Sequence, residues 1–173
     1  MESVTPAGPM IVRRITPTDA RELKAIRLAA LADSPSAFGS TLEREEAFPD
    51  AEWTTRARVA ADSELQSTFF ALDGDAFVGL AGGYCDAGAE PIELVSMWIA
   101  PTHRRAGLGR ALVQAVLDWA TEVGAQSVSL WVTRGNDRAE ALYASMGFTV
   151  TGDFQPLPSD PCKDEIRMER RLR

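Results

Sequence analysis

The chain has 173 residues, 45% of them hydrophobic and 25% charged, the make-up of one soluble globular domain with a sizeable core. Its 18 Lys and Arg against 25 Asp and Glu leave a net charge of −7, which speaks against nucleic acid or an anionic membrane as the main partner. Two distant cysteines, Cys85 and Cys162, match no metal or redox spacing, and a single histidine, His103, rules out a site built on several.

Residues 1–9 are small, polar and proline-bearing, which predicts a disordered tail before a single domain at 10–173. They lack the basic and apolar stretches of a signal peptide, and no apolar run approaches the roughly 20 residues of a membrane span, so a reduced, cytoplasmic protein is expected. Ile11 to Ile15 reads as a first strand. Thr16-Pro17-Thr18-Asp19 is a helix start with Thr16 as cap, and Ala20, Leu23, Ile26, Ala30 and Leu31 mark one face of the helix that follows. In the polar loop 34–41, Phe38 is either a core plug or part of a substrate wall. Ser40 and Glu43 have the form of a capping box for a short helix, and Pro49-Asp50 opens another that carries Trp53. Glu43, Glu45, Glu46, Asp50 and Glu52 read as a solvated acidic face.

Residues 67–72 and 76–84 are β-rich runs around Asp73-Gly74-Asp75, hence a hairpin, whose glycines at 79, 82 and 83 predict a bulge or a close neighbour. A loop is expected over Asp86 to Pro91, then a buried strand at Glu93–Ile99, stopped by Pro101. Leu112, Val113, Val116, Leu117, Ala120 and Val123 give a helical stripe ended by Gly124, and Ser127–Val132 is the next strand. Asn136 can cap a helix with Ala139, Leu142, Tyr143 and Met146 on its apolar face and Gly147 as its stop. A short strand at 148–152, a proline-rich loop at 153–161 and a last strand through Ile166, Met168 and Leu172 complete a mixed α/β sheet with local hairpins.

The chemistry gathers at Arg104-Arg105-Ala106-Gly107-Leu108-Gly109-Arg110, between the buried strand and the striped helix. A Walker loop would need Gly-Lys-Ser/Thr at its end, and a dinucleotide fingerprint a third glycine where Leu112 stands; both fail. What remains is an anion cradle of glycine backbone, helix N-terminus and two arginines. With Asn136-x-x-Ala139-x-x-Leu142-Tyr143-x-x-x-Gly147-Phe148 downstream, the chain resembles the GCN5-related N-acetyltransferase (GNAT) superfamily over roughly residues 10–172.

The resemblance implies a mostly antiparallel central sheet with splayed middle strands, flanked by helices, and acetyl-CoA as co-substrate in the gap. Backbone near Trp98 and Ile99 would meet the pantetheine arm and the thioester carbonyl. Arg104, Arg105, Ala106, Gly107, Leu108, Gly109 and Arg110 would hold the pyrophosphate, and Asn136 would contact the cofactor arm. Tyr143 would protonate the leaving thiolate, although its place on the apolar face also suits core packing. Glu93, six residues before Ile99, would be the base that takes the acceptor's proton, directly or through water, unless it merely pairs with an arginine. Phe38, Ser96 and Trp131 are candidates for the acceptor side; Ser96 is no triad nucleophile beside a lone histidine, and His103 reads as a solvated turn residue. No metal is implied. The expected activity is acetyl transfer to a primary amine of a small, cationic molecule. A protein lysine or N-terminus is the rival acceptor, a non-catalytic acyl-CoA sensor the rival of another class, and homodimers are common in the family.

Overall fold

The computed structural model describes residues 9–86 and 89–173. Of the expected tail, residues 1–8 lie outside the described residues. Seven strands form one sheet: β1 (Met10–Arg14), β2 (Gln66–Asp73), β3 (Ala76–Asp86), β4 (Ala89–Ile99), β5 (Ser127–Thr133), β6 (Thr149–Leu157) and β7 (Asp160–Arg171). Their spatial order is β1-β2-β3-β4-β5-β7-β6, and every neighbouring pair is antiparallel except β4 with β5. The helices are α1 (Ala20–Asp33), α2 (Leu42–Glu46), α3 (Asp50–Asp62), α4 (Leu108–Glu122) and α5 (Asp137–Ser145). None of them is long and apolar enough to cross a membrane.

Alternation along the strands sorts the side chains into a core on each face of the sheet. On one face, Leu112, Val113, Val116 and Leu117 of α4 pack on Phe69 and Ala71 of β2, Ile92 and Leu94 of β4, and Val128 and Leu130 of β5. On the other, Leu23, Ile26 and Leu31 of α1 and Trp53 and Ala57 of α3 cover Phe70, Leu72, Leu80 and Trp98. Each such Leu, Ile or Val stabilises the fold by roughly 1.5–3 kcal/mol of burial. Gly83 is a close-approach glycine: a Cβ there would lie 2.8 Å from the Trp119 ring of α4, so the predicted close neighbour is real.

Several boundaries differ from expectation. α1 begins at Ala20, because the Asp19 carboxylate turns back to accept from the Thr16 amide and hydroxyl and pairs with Arg13 at 2.7 Å. Thr41, not Ser40, caps α2, accepting from the Arg44 amide. α4 starts at Leu108, one turn before the Leu112 at which its apolar stripe becomes visible, and Val123 falls beyond its end, 37% exposed. Asp86 and residues 89–91 belong to strands, which leaves only 87 and 88, outside the described residues, between β3 and β4. The proline-rich stretch 153–161 is not a loop but the end of a long β6–β7 hairpin: β6 is the edge strand, where Pro156 has no outer neighbour to bond.

Candidate active site

β4 and β5 pair only at Ile92–Val128, Glu93–Ser129 and Leu94–Leu130, then part. The cause lies in β4 itself. Between its pairs with Gly82 and Leu80 of β3, which are two residues apart, β4 uses three residues from Val95 to Trp98. That extra residue is a bulge, and Ser96 in it has φ 59°. It also reverses the faces: Ile92 and Leu94 point toward α4, whereas Trp98 joins the core under α1 and α3. Beyond the bulge, the edge of β4 that would continue the ladder lines a cavity of about 710 Å³.

The cavity runs from Leu94–Ile99 of β4 and Trp131–Thr133 of β5 to the turn before α4 and the inner face of α5. Gly107 at the N-terminus of α4 has φ 81°, and a Cβ there would meet nothing within 4 Å, so backbone conformation demands glycine at 107 and leaves the space before the helix clear. Gly109 has another reason: a Cβ would stand 3.1 Å from Met97 and 3.3 Å from Leu142, so it allows α4 to sit close to β4 and α5. Arg105 has φ 67°. Ser96 and Arg105 are the non-glycine residues with positive φ among those described, and both line this cavity, a concentration of backbone strain typical of functional sites. Arg104, Arg105, Arg110 and Arg138 all reach its wall, so the field there favours an anion although the chain is acidic.

Within this frame Arg104 is already committed: its Nη2 donates to Asp33 at 2.6 Å and its Nε to the Ile99 carbonyl at 3.0 Å. Asp33 also accepts from Trp98 Nε1, and the bond from Ser34, followed by those from Trp98 and Arg104, holds its carboxyl below the ordinary range. Arg110 donates to Ser145. Asn136 accepts from the Ala139 amide and so caps α5, as read from the sequence, and it lines the cavity as well. Tyr143 is 6% exposed and edge-on to Phe148, yet its side chain reaches the cavity wall; burial pushes its phenol well up, so it stays protonated at any ordinary pH.

Glu93 stands one pair before the β4–β5 seam parts, on the face away from α4, and accepts from the Tyr84 hydroxyl at 2.7 Å. It is half-buried, and its neighbours in sequence Leu94 and Trp98 lie in the two opposite cores. It is outside the cavity wall, as are Ala106 and Leu108; Leu108 is a core residue under α4. Burial, followed by Glu93, raises the Tyr84 phenol to about 12. Glu165 of β7 is buried on the same polar stretch, where burial and then Glu93 push its carboxyl up against a bond from Gln155.

Ser96 and Trp131 line the cavity, but Phe38, 3% exposed, is a core plug under the Arg27 guanidinium. The solvated acidic face loses Glu45, which is 2% exposed and held by two bonds from Arg27. His103 is no free turn residue: it bonds Asp73 at 3.1 Å and joins the wall. Arg138, Thr133 and Ala139 were not foreseen there; only their place around the Asn136 cap could have pointed to them.

The acetyltransferase (GNAT) family profile matches residues 28–148. The streptothricin acetyltransferase of Streptomyces lavendulae is 34% identical over 118 residues, 68% of this chain and 56% of that protein. The chain spans little more than half, or less, of the length of the curated relatives it matches. Among solved structures, a GNAT-family acetyltransferase from Streptococcus pneumoniae superposes with a TM-score of 0.82 at 21% identity, covering 95% of this chain and all of that one. Spermidine N-acetyltransferase from Vibrio cholerae, in complex with CoA and spermine, superposes at 0.74 with 19% identity over 94% of this chain and 95% of its own.

Proposed function

The chain belongs to the acetyltransferase (GNAT) family, and from that premise we propose that it moves the acetyl group of acetyl-CoA onto a primary amine of a small molecule. The observation that carries this is the parted β4–β5 seam ending at a glycine turn ringed by arginines. The residues present fit acetyl-CoA. A cradle at Gly107 stays clear before the first amides of α4, Arg105, Arg110 and Arg138 bring positive charge to it, and a bare strand edge leads inward from there.

When bound, acetyl-CoA supplies the activated acetyl thioester. The edge of β4 near Trp98 and Ile99 offers backbone groups to the pantetheine amides and an N–H to the thioester carbonyl. Tyr143, kept protonated by burial, holds the proton that the departing sulfur needs. An acceptor amine with a reference pKa near 10.4 must lose a proton before it attacks. Glu93 takes that proton, and because it stands outside the cavity wall a water carries it there. Trp131 and Ser96 flank the acceptor's path, and the carboxylates of Glu93 and Glu165 on that sheet face suit a cationic molecule. The names of two similar proteins, a streptothricin and a spermidine acetyltransferase, support the same class of acceptor.

The test is thiol release from acetyl-CoA by the purified protein against a panel of polyamines, amino-sugar compounds and lysine peptides. Turnover on small polyamines or amino sugars is expected. Turnover on peptides alone would move the acceptor to protein amines, and no release with any amine would make the chain a non-catalytic acyl-CoA-binding module.

A further inference from the structure

The bulge that opens the seam is gripped from one helix. Arg27 of α1 donates its Nη1 to Ser96 Oγ at 2.8 Å, and its remaining fork is taken by Glu45, Nε to Oε2 at 2.9 Å and Nη2 to Oε1 at 2.8 Å. The Glu45 side chain is 3% exposed and that of Arg27 14%, and the guanidinium lies 4.8 Å over the Phe38 ring. Six residues on, Asp33 at the end of the same helix accepts from Trp98 Nε1 and from Arg104, which in turn donates to the Ile99 carbonyl. α1 therefore fixes β4 at 96, 98 and 99, within the parted half of the strand. An L-residue at φ 59° is strained and persists only where its surroundings over-determine it.

We propose that Arg27, anchored by Glu45, is a positioning residue for acetyl transfer: by holding Ser96 in its left-handed conformation it sets the aim of the β4 edge at residues 97–99. The pair makes no contact with the reacting groups; its effect passes through the bulge. This rests on the reading that the β4 edge receives the thioester, and it adds a determinant on α1, 69 residues away in sequence.

The experiment compares Arg27→Met and Arg27→Lys, each made with and without Ser96→Gly. Arg27→Lys keeps a cation beside buried Glu45, and with it the fold, but a single ammonium cannot serve Glu45 and Ser96 as the fork does. Two readouts are taken: kcat and the acetyl-CoA KM with an active amine, and the infrared carbonyl stretch of 13C-labelled acetyl-CoA bound to the protein without acceptor. Replacing Arg27 is expected to lower kcat about tenfold or more with KM within about twofold, and to move the bound carbonyl stretch back toward its free value. Glycine adopts positive φ without strain, so in the Ser96→Gly background the same replacement should cost less than about twofold. An equal loss in both backgrounds, or a carbonyl stretch indifferent to Arg27, overturns the positioning role while leaving acetyl transfer intact. Failure of the unaltered protein to bind acetyl-CoA by calorimetry would overturn both readings together.

Discussion

The two halves of β4 are built from similar residues and do opposite work. At Glu93 and Leu94 the strand is paired on both edges, and the apolar side chains of Ile92 and Leu94 are sunk under α4. From Ser96 to Ile99 it pairs only with β3 and gives its other edge to the cavity. One extra residue at the bulge separates them. A site is made here by withholding a few rungs from an otherwise ordinary sheet, so that stability is concentrated in one half and the cavity wall in the other.

Substitutions should therefore separate stability from activity at the bulge. The largest effect on stability is expected from Leu94→Ala in the paired half: loss of a 4% exposed side chain between α4 and the sheet should cost about 2–5 kcal/mol, read as a lower denaturant midpoint. Across the parted half, Tyr143→Phe should lower kcat by about 100-fold, with acetyl-CoA affinity and the melting midpoint little changed. Glu93→Gln, at the boundary, should lower kcat by about tenfold or more and flatten the acidic limb of the pH–rate profile. An unaltered kcat in either variant removes that residue from proton transfer. Gly107→Ala, at the outer end of the parted half, puts a side chain at φ 81° and should cost about 1–2 kcal/mol of stability together with weaker CoA binding by calorimetry.

The smallest effect sets two buried carboxylates against each other. Burial alone would raise Glu45, but the Arg27 bonds and charge hold its carboxyl below the usual 4.5, so its contribution is present at neutral pH and lost as the pH falls below that value. Glu165 has the opposite sign: its folded carboxyl lies above the unfolded one, so it favours the fold only while protonated, and that contribution disappears as the pH rises. Glu165→Gln should thus raise the melting midpoint at neutral pH, with the gain vanishing below about pH 4.5, where the native carboxyl is itself protonated. A gain that persists in acid would contradict that sign.

What could be read from the sequence follows from where the partners lie. The stripe of α4, the Asn136 cap and the glycine turn depend on residues within a few positions of one another, and all three stand where periodicity and spacing put them. Ser96 carries no such signal: no glycine or asparagine marks its positive φ, because the group that holds it comes from α1. Glu45 sits in a run of carboxylates that looks like a wet face until Arg27, 18 residues away, is seen to claim it. Arg104 belongs to a phosphate-like motif by sequence, yet Asp33, 71 residues earlier, takes its guanidinium. The prolines at 156, 158 and 161 read as a loop by composition, but only Pro158 lies in the β6–β7 turn; Pro156 is tolerated because β6 is the edge strand, and edge position is a property of the whole sheet.

One consequence of the short β4–β5 ladder is mechanical. Strands β1–β4 and strands β5–β7 are two leaves bound along a spine of three residue pairs. The span between the leaves beyond that spine is set by side chains at the rim, such as Trp131, Thr133 and Leu142, and not by backbone ladder. Substitutions at rim residues outside both cores, such as Trp131 and Thr133, can therefore widen or narrow this gap while the packing that holds each leaf together is kept.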